Sequence, residues 1–283
     1  MKTLLVCDSG LGGLDIAAKF FQHSAAEKEW ELIYFNAFPD RDIGYNDLPS
    51  DEIRRRVFHA ALEGMLPFKP DLCLIACNTL SIVYEQLAKT YRPAFPVVGI
   101  INAAVGLMTD FLRQNPDGEL LLLGTKTTIA SGVYPERLIR NGIAAQRIRS
   151  LACPGLAKLI EQNPAASEVA QCIAQYAQCA KELFPHRPKK LAVGLCCTHY
   201  GYVAEIWQQE FSRSFSMVPV LLNPNAALLC HGSASTFSYA SRFELSPGQR
   251  EAMATCFASS APLIADALRK AKANPGLFKP LYE

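Results

Sequence analysis

The chain has 283 residues, half of them hydrophobic, and a formal net charge of +2. That is enough to bury one large α/β domain or two smaller ones. The balanced charge gives no electrostatic case for a nucleic-acid or anionic-membrane partner, and no run approaches the ~18 apolar residues of a membrane span.

Residues 3–7 read as a buried strand. Asp8 ends this apolar run too early for a signal peptide, so a cytoplasmic protein is expected. A Gly-rich turn and a helix over 14–22 follow, then a strand over 31–35. Asp51 and Glu52 open a helix with Ile53, Val57, Ala61 and Met65 on one face. A strand over 71–76 and a helix over 81–89 come next, and Pro93 to Pro96 reads as the crossing to a second unit. There the pattern repeats: a strand over 119–123, a helix over 169–183 and a strand over 190–196. After about Glu210 the chain is expected to return to the first unit. That return brings a strand over 218–222, where Pro219 marks a strand start or a sheet edge. A C-terminal helix over 247–268 is expected to break at Pro262. The βαβα order predicts an α/β fold of two pseudo-symmetric domains, each a mostly parallel sheet flanked by helices. The expected division is 1–95 plus 211–283 for the first domain and 96–210 for the second.

Two apolar runs end alike. Leu72-Cys73-Leu74-Ile75-Ala76 enters Cys77-Asn78-Thr79, and Leu191-Ala192-Val193-Gly194-Leu195-Cys196 enters Cys197-Thr198-His199. Asp8 and Cys77 lie 69 positions apart, Thr125 and Cys197 72. A polar loop after one strand, then a cysteine loop after another, thus occurs twice. Ligands bind at the carboxyl ends of strands in open parallel sheets, and every one of these clusters lies at such an end. If the two units face each other, the clusters converge on one cleft. A cysteine just before a helix sits in positive dipole charge that favours thiolate, and the free amides there suit a carboxylate. Ser9, Asn78, Thr79 and Thr198 add neutral donors, and Lys126 is the one nearby cation. This set fits a small amino acid and two-sided proton transfer.

A single strand-end cysteine is more often core filler than a catalyst; two in matching contexts shift that balance. Among the ten cysteines, Cys7, Cys73, Cys172, Cys179, Cys230 and Cys256 read as reduced, buried small hydrophobes. Gly10-Leu11-Gly12-Gly13-Leu14-Asp15 lacks the third glycine of a dinucleotide fingerprint, and no Lys-Ser/Thr makes it a Walker loop. Cys196-Cys197-x-His199 lacks metal-site spacing and a second ligand pair, so no metal is expected. A Cys-His protease dyad leaves Cys77 and the repeat unexplained. His23, His59, His186 and His231 read as surface or structural.

At these positions the sequence resembles the glutamate racemases of the cofactor-independent aspartate/glutamate racemase superfamily. Asp8-Ser9-Gly10-Leu11-Gly12-Gly13-Leu14 resembles the N-terminal motif. Ala76-Cys77-Asn78-Thr79 and Cys197-Thr198-His199-Tyr200 resemble the two cysteine motifs. Leu123-Gly124-Thr125-Lys126-Thr127-Thr128 with Ser131-Gly132-Val133-Tyr134 is similar to the opening of the second domain, and Ala152-Cys153-Pro154-Gly155-Leu156 through Glu161 to the helper-glutamate segment. The resemblance implies racemisation of glutamate for peptidoglycan, with no cofactor and as a homodimer. Cys77 would serve the D-glutamate side, assisted by Asp8. Cys197 would serve the L-glutamate side, assisted by His199 and Glu161. Ser9, Tyr45, Asn46, Asn78, Thr79, Thr125, Thr128 and Thr198 would bind substrate.

The catalytic pair is intact, but one wall of the pocket differs. Tyr45-Asn46 stands where the family has Tyr-Gly, and Asn36-Ala37-Phe38-Pro39-Asp40-Arg41 replaces an Asp-Thr-Ala-Arg stretch. Cys196 and Gly201 stand where glycine and proline are usual, and Ile101-Asn102-Ala103 where Ile-Glu-Pro is common. Two other readings stay open: a racemase of aspartate or another small acid, and a binding protein on the same fold.

Overall fold

The computed structural model describes residues 1–22, 28–41, 43–228 and 232–282. Cys230, His23 and His231 lie outside them. The chain divides into two compact units, Met1–Ile100 with Leu228–Glu283, and Ile101–Ala227. In chain order the first contains β1 (Lys2–Asp8), α1 (Leu14–Gln22), β2 (Lys28–Asn36), α2 (Asp51–Met65), β3 (Leu72–Ile75), α3 (Asn78–Leu87) and β4 (Val97–Gly99). The second contains α4 (Ile101–Gln114), β5 (Gly118–Gly124), α5 (Lys126–Ala130), α6 (Val133–Arg140), β6 (Ile148–Ala152), α7 (Leu156–Gln162), α8 (Ser167–Glu182), β7 (Lys190–Cys196), α9 (Ala204–Phe215) and β8 (Val220–Leu222). The first unit is completed by β9 (Ser233–Ser241), α10 (Pro247–Phe257) and α11 (Pro262–Lys270).

Each unit is built on one all-parallel sheet, in the order β4-β3-β1-β2-β9 and β6-β5-β7-β8. Reversed, the second order is β8-β7-β5-β6, which matches β4-β3-β1-β2 strand for strand. β9 is the extra edge strand of the first unit. The central strands β1, β5 and β7 are apolar along most of their length because helices cover both faces of such a sheet. Thus Leu120, Leu121, Leu122 and Leu123 of β5 are all fully buried. The second unit's core gathers Trp207, Phe211 and Phe215 of α9 against Leu191, Val193 and Leu195 of β7.

The crossings fall later than the sequence pattern places them. β4 pairs with β3 (Leu74 opposite Val98), so the strand after Pro96 still belongs to the first unit and the chain leaves it after Ile100. β8 pairs with β7, Ala192 opposite Val220, so α9 and β8 stay in the second unit and the return comes at Leu228, not near Glu210. α3 begins at Asn78 rather than 81, since Cys77 itself caps it. Pro262 does break the C-terminal helix, standing in the first turn of α11. The sequence pattern marks no element at β4, α4, α5, α6, β6, α7, α9 or β9. None of the described helices is long and apolar enough to cross a membrane.

The C-terminal tail packs into the first unit's core through Leu277 and Phe278. Gly64 of α2 lets the tail approach: a Cβ there would lie 2.5 Å from the Leu277 carbonyl oxygen and 2.8 Å from Phe278 Cβ. Gly64→Ala should therefore lower the unfolding free energy by about 1–3 kcal/mol. A denaturant midpoint equal to the wild type's would contradict that close packing.

Candidate functional site

Strand register decides which strand ends become neighbours. Cys7 of β1 stands opposite Ile75 of β3, and Gly124 of β5 opposite Cys196 of β7. Continued past these last pairs, the registers set Ser9 level with Cys77 and Thr125 level with Cys197. Each unit therefore sets a hydroxyl-bearing residue level with a cysteine at the carboxyl end of its sheet.

In the first unit, Ser9 Oγ lies 3.1 Å from Cys77 Sγ. Cys77 is the N-cap of α3, and the Leu80 N–H donates to its sulfur at 3.5 Å. That donor and the α3 dipole both favour negative charge on the sulfur. Asn78 and Thr79, in the first turn of α3, are buried. Asp8 is fully buried at the end of β1. Gly13 explains the fit of the turn that follows: a Cβ there would meet Ala76 Cβ at 2.8 Å and Asp8 Oδ2 at 2.9 Å. Tyr34, which the motifs did not single out, donates its hydroxyl to the Gly10 carbonyl at 2.7 Å and pins the same turn.

Tyr45 and Asn46 part company. Tyr45 is 1 % exposed, edge-on to Phe58 in the core cluster that includes Cys77, while Asn46 is exposed. The Tyr45 hydroxyl is buried with no hydrogen-bond partner among the described residues. Burial, with Cys7 and Cys77 nearby, raises its pKa well above the usual tyrosine value, so it is a neutral donor.

In the second unit Cys197 follows directly on β7, and the chain turns at once through a short 3-10 segment over Thr198–Val203. His199 Nδ1 lies 3.8 Å from Cys197 Sγ, and His199 Nε2 lies 2.7 Å from Glu161 Oε2 on α7. Burial alone would depress the imidazole's affinity for a proton. The hydrogen bonds to Cys197 and Glu161, and the Glu161 charge, outweigh it and hold His199 well above its ordinary range. Glu161 is held through the start of its helix. Tyr200 donates to the Cys153 carbonyl at 3.5 Å, and Tyr176 to the Pro154 carbonyl at 2.7 Å. Thr125 caps α5, receiving the Thr128 N–H at 3.3 Å and donating to Thr128 Oγ1 at 3.1 Å. Thr198 is buried, and Asn225 Nδ2 donates to its carbonyl at 3.1 Å. Asn225 carries no motif; only the tertiary fold reveals it.

The remaining thiols separate by environment. Burial pushes the thiols of Cys7, Cys73, Cys153 and Cys196 far up, which keeps them protonated and inert. Cys196, one position before Cys197, is fully buried and faces the Gly194 carbonyl at 3.7 Å. Cys172 is partly buried, and Cys179 and Cys256 are exposed rather than buried, because they lie on the outer faces of helices α8 and α10. His59 packs against the Tyr91 ring at 4.1 Å, and His186 lies 3.2 Å from Glu119 at the surface. Among the described residues no cluster of three or more His, Cys, Asp or Glu side chains could hold a metal ion.

Residues 37–229 match the family described as Asp/Glu/Hydantoin racemase. The glutamate racemase of Helicobacter acinonychis (strain Sheeba) is 26% identical over 227 residues, covering 79% of this chain and 83% of that protein. The crystal structure of glutamate racemase isoform RacE1 from Bacillus anthracis superposes with a TM-score of 0.69 at 20% identity, covering 91% of this chain and 94% of that one. Glutamate racemase from Francisella tularensis subsp. tularensis SCHU S4, solved in complex with D-glutamate, gives 0.66 at 19% identity with coverage of 91% and 94%. These structural likenesses carry the two-unit α/β fold. The sequence match extends over well more than half the chain, which belongs to the Asp/Glu/Hydantoin racemase family.

Proposed function

We propose that the protein interconverts L- and D-glutamate without a cofactor, using Cys77 and Cys197 as its two proton-transfer groups. One observation carries this reading: two topologically matched units each bring a cysteine to a central strand end, level with a hydroxyl. A binding protein needs no second thiol in the matching place. The relatives named glutamate racemases, one solved with D-glutamate, support glutamate as the substrate. The reading includes supply of D-glutamate for peptidoglycan, a cytoplasmic location and a homodimer.

The α-proton of an amino acid is very weakly acidic. One thiolate removes it while the opposite thiol delivers a proton to the other face, and the roles reverse for the other enantiomer. Cys77 acts on D-glutamate, its sulfur supported by Ser9, the Leu80 N–H and the α3 dipole, with Asp8 assisting. Cys197 acts on L-glutamate, with His199 next to it and Glu161 orienting the imidazole through Nε2. Ser9, Asn78, Thr79, Thr125, Thr128 and Thr198 bind the substrate, together with Tyr45 and Asn46. Fixed neutral donors in a dry site stabilise the developing carbanion. Tyr45, whose buried hydroxyl has no hydrogen-bond partner among the described residues, is the donor held ready for it.

Cys77→Ser and Cys197→Ser should each lower kcat for racemisation at least about 100-fold. Near wild-type rates in both would rule out the two-thiol mechanism. In a panel of acidic amino acids, glutamate should be turned over fastest. A preference for aspartate would move the reading to that substrate, for which the altered Tyr45-Asn46 wall is the motive.

His199 sets the pH dependence. Its folded pKa is raised, so its contribution is fully present below the unfolded value of about 6.5 and is lost as pH rises through the folded value. Glu161→Gln removes part of what raises it. The alkaline limb of kcat/KM for L-glutamate should then move to lower pH in that variant. An unmoved limb would remove His199–Glu161 from the mechanism.

A further inference from the structure

The loop between β2 and α2 carries Tyr45, and it is fastened at both ends by side chains gripping its carbonyls. At the far end Arg54 of α2 donates Nε to the Tyr45 carbonyl at 2.8 Å and Nη2 to the Leu48 carbonyl at 2.6 Å. At the near end the Phe38 N–H donates to Asn36 Oδ1 at 3.0 Å. The Pro39 carbonyl receives two donors from distant sequence: Arg242 Nη1, and the Tyr282 hydroxyl at 3.0 Å.

Arg242 follows directly on β9, and the C-terminal tail wraps it. The guanidinium lies 4.9 Å from the Phe243 ring centre and 5.0 Å from that of Phe278. The Asn274 N–H donates to the Ser241 carbonyl at 2.8 Å, which docks the tail on the end of β9. Phe278 stacks on Phe35 of β2 at 5.9 Å. Leu277 and Phe278 share one core cluster with Tyr45 and Cys77. Core filling accounts for Leu277 and Phe278. It does not account for the tail running on to Tyr282, a residue 38 % exposed whose hydroxyl is committed to a loop carbonyl.

We propose that Arg242 and Tyr282 are positioning residues. Through the Pro39 carbonyl they fix residues 37–41, hence the placement of Tyr45 in the Cys77 half of the site, and so set substrate affinity. The inference rests on the racemase reading above. It concerns a segment where the sequence departs from the family pattern.

The test compares wild type, Tyr282→Phe and Arg242→Lys. Tyr282→Phe deletes one oxygen at a partly exposed position, so folding is not at stake. Each variant should raise KM for glutamate about fivefold, the effect of one lost hydrogen bond, while kcat stays close to wild type, as for lost uniform binding. Amide hydrogen exchange should speed up over 37–41 and 43–48 and stay unchanged over α2 and β1. Unchanged exchange in the loop overturns the proposal. So does faster exchange throughout the first unit with KM unaltered, the mark of a purely structural role. If the wild type fails to racemise glutamate, the functional reading falls, while loop exchange still decides whether the tail fixes the loop.

Discussion

Parallel pairing of β1 with β3, and of β5 with β7, is the constraint from which the site follows. In a parallel sheet all strands end at the same edge, so residues just past two adjacent strands become neighbours however far apart they are in sequence. Ser9 and Cys77 meet at 3.1 Å across 68 positions for this reason alone. The β5–β7 register, continued one position past Gly124 and Cys196, sets Thr125 level with Cys197. A one-residue slip in either ladder would exchange the faces of every strand residue and carry the cysteine away from its hydroxyl. The buried leucines of β5 and the buried run of β1 hold the registers against such a slip.

The shared scaffold carries two different chemistries. Cys77 is met by a serine hydroxyl, a helix-start amide and the α3 dipole, with the buried Asp8 carboxyl at the end of the neighbouring strand β1. Cys197 is served by an ionisable relay, His199 to Glu161, whose pairing overcomes the cost of burying an imidazolium. A racemase must treat mirror-image substrates, but its own side chains are all of one hand. Distinct support for each thiol is a physical consequence of that asymmetry.

Much of this was legible in the sequence, and what was not has identifiable causes. The apolar runs before Asp8, Cys77, Thr125 and Cys197 read as buried strands, because helices on both faces demand continuous hydrophobicity. The repeat in motif order proved to be a repeat in strand order. The spacing points to Asp8 and Thr125 as counterparts, whereas the two registers make Ser9 the counterpart of Thr125, each level with the cysteine of its own unit. β9 was invisible because its sequence, Ser-Ala-Ser-Thr-Phe-Ser-Tyr-Ala-Ser, is that of a half-exposed edge strand rich in small polar residues. The crossings fall at Ile100 and Leu228 rather than near Pro93 and Glu210, because neither a proline nor a run of strand-like residues tells which sheet the next strand joins. Asn225, Tyr34 and Arg242 act through contacts made in space, and no local pattern marks them.

The central claim is that two different groups handle the α-proton. It is tested most directly by racemisation in deuterated water, started separately from L- and D-glutamate and analysed early in the reaction. The account predicts that product of either hand carries deuterium at Cα while the remaining substrate stays protiated, since the thiol that donates is not the one that abstracts. Deuterium entering substrate and product equally, or product forming with the original proton retained, would contradict it.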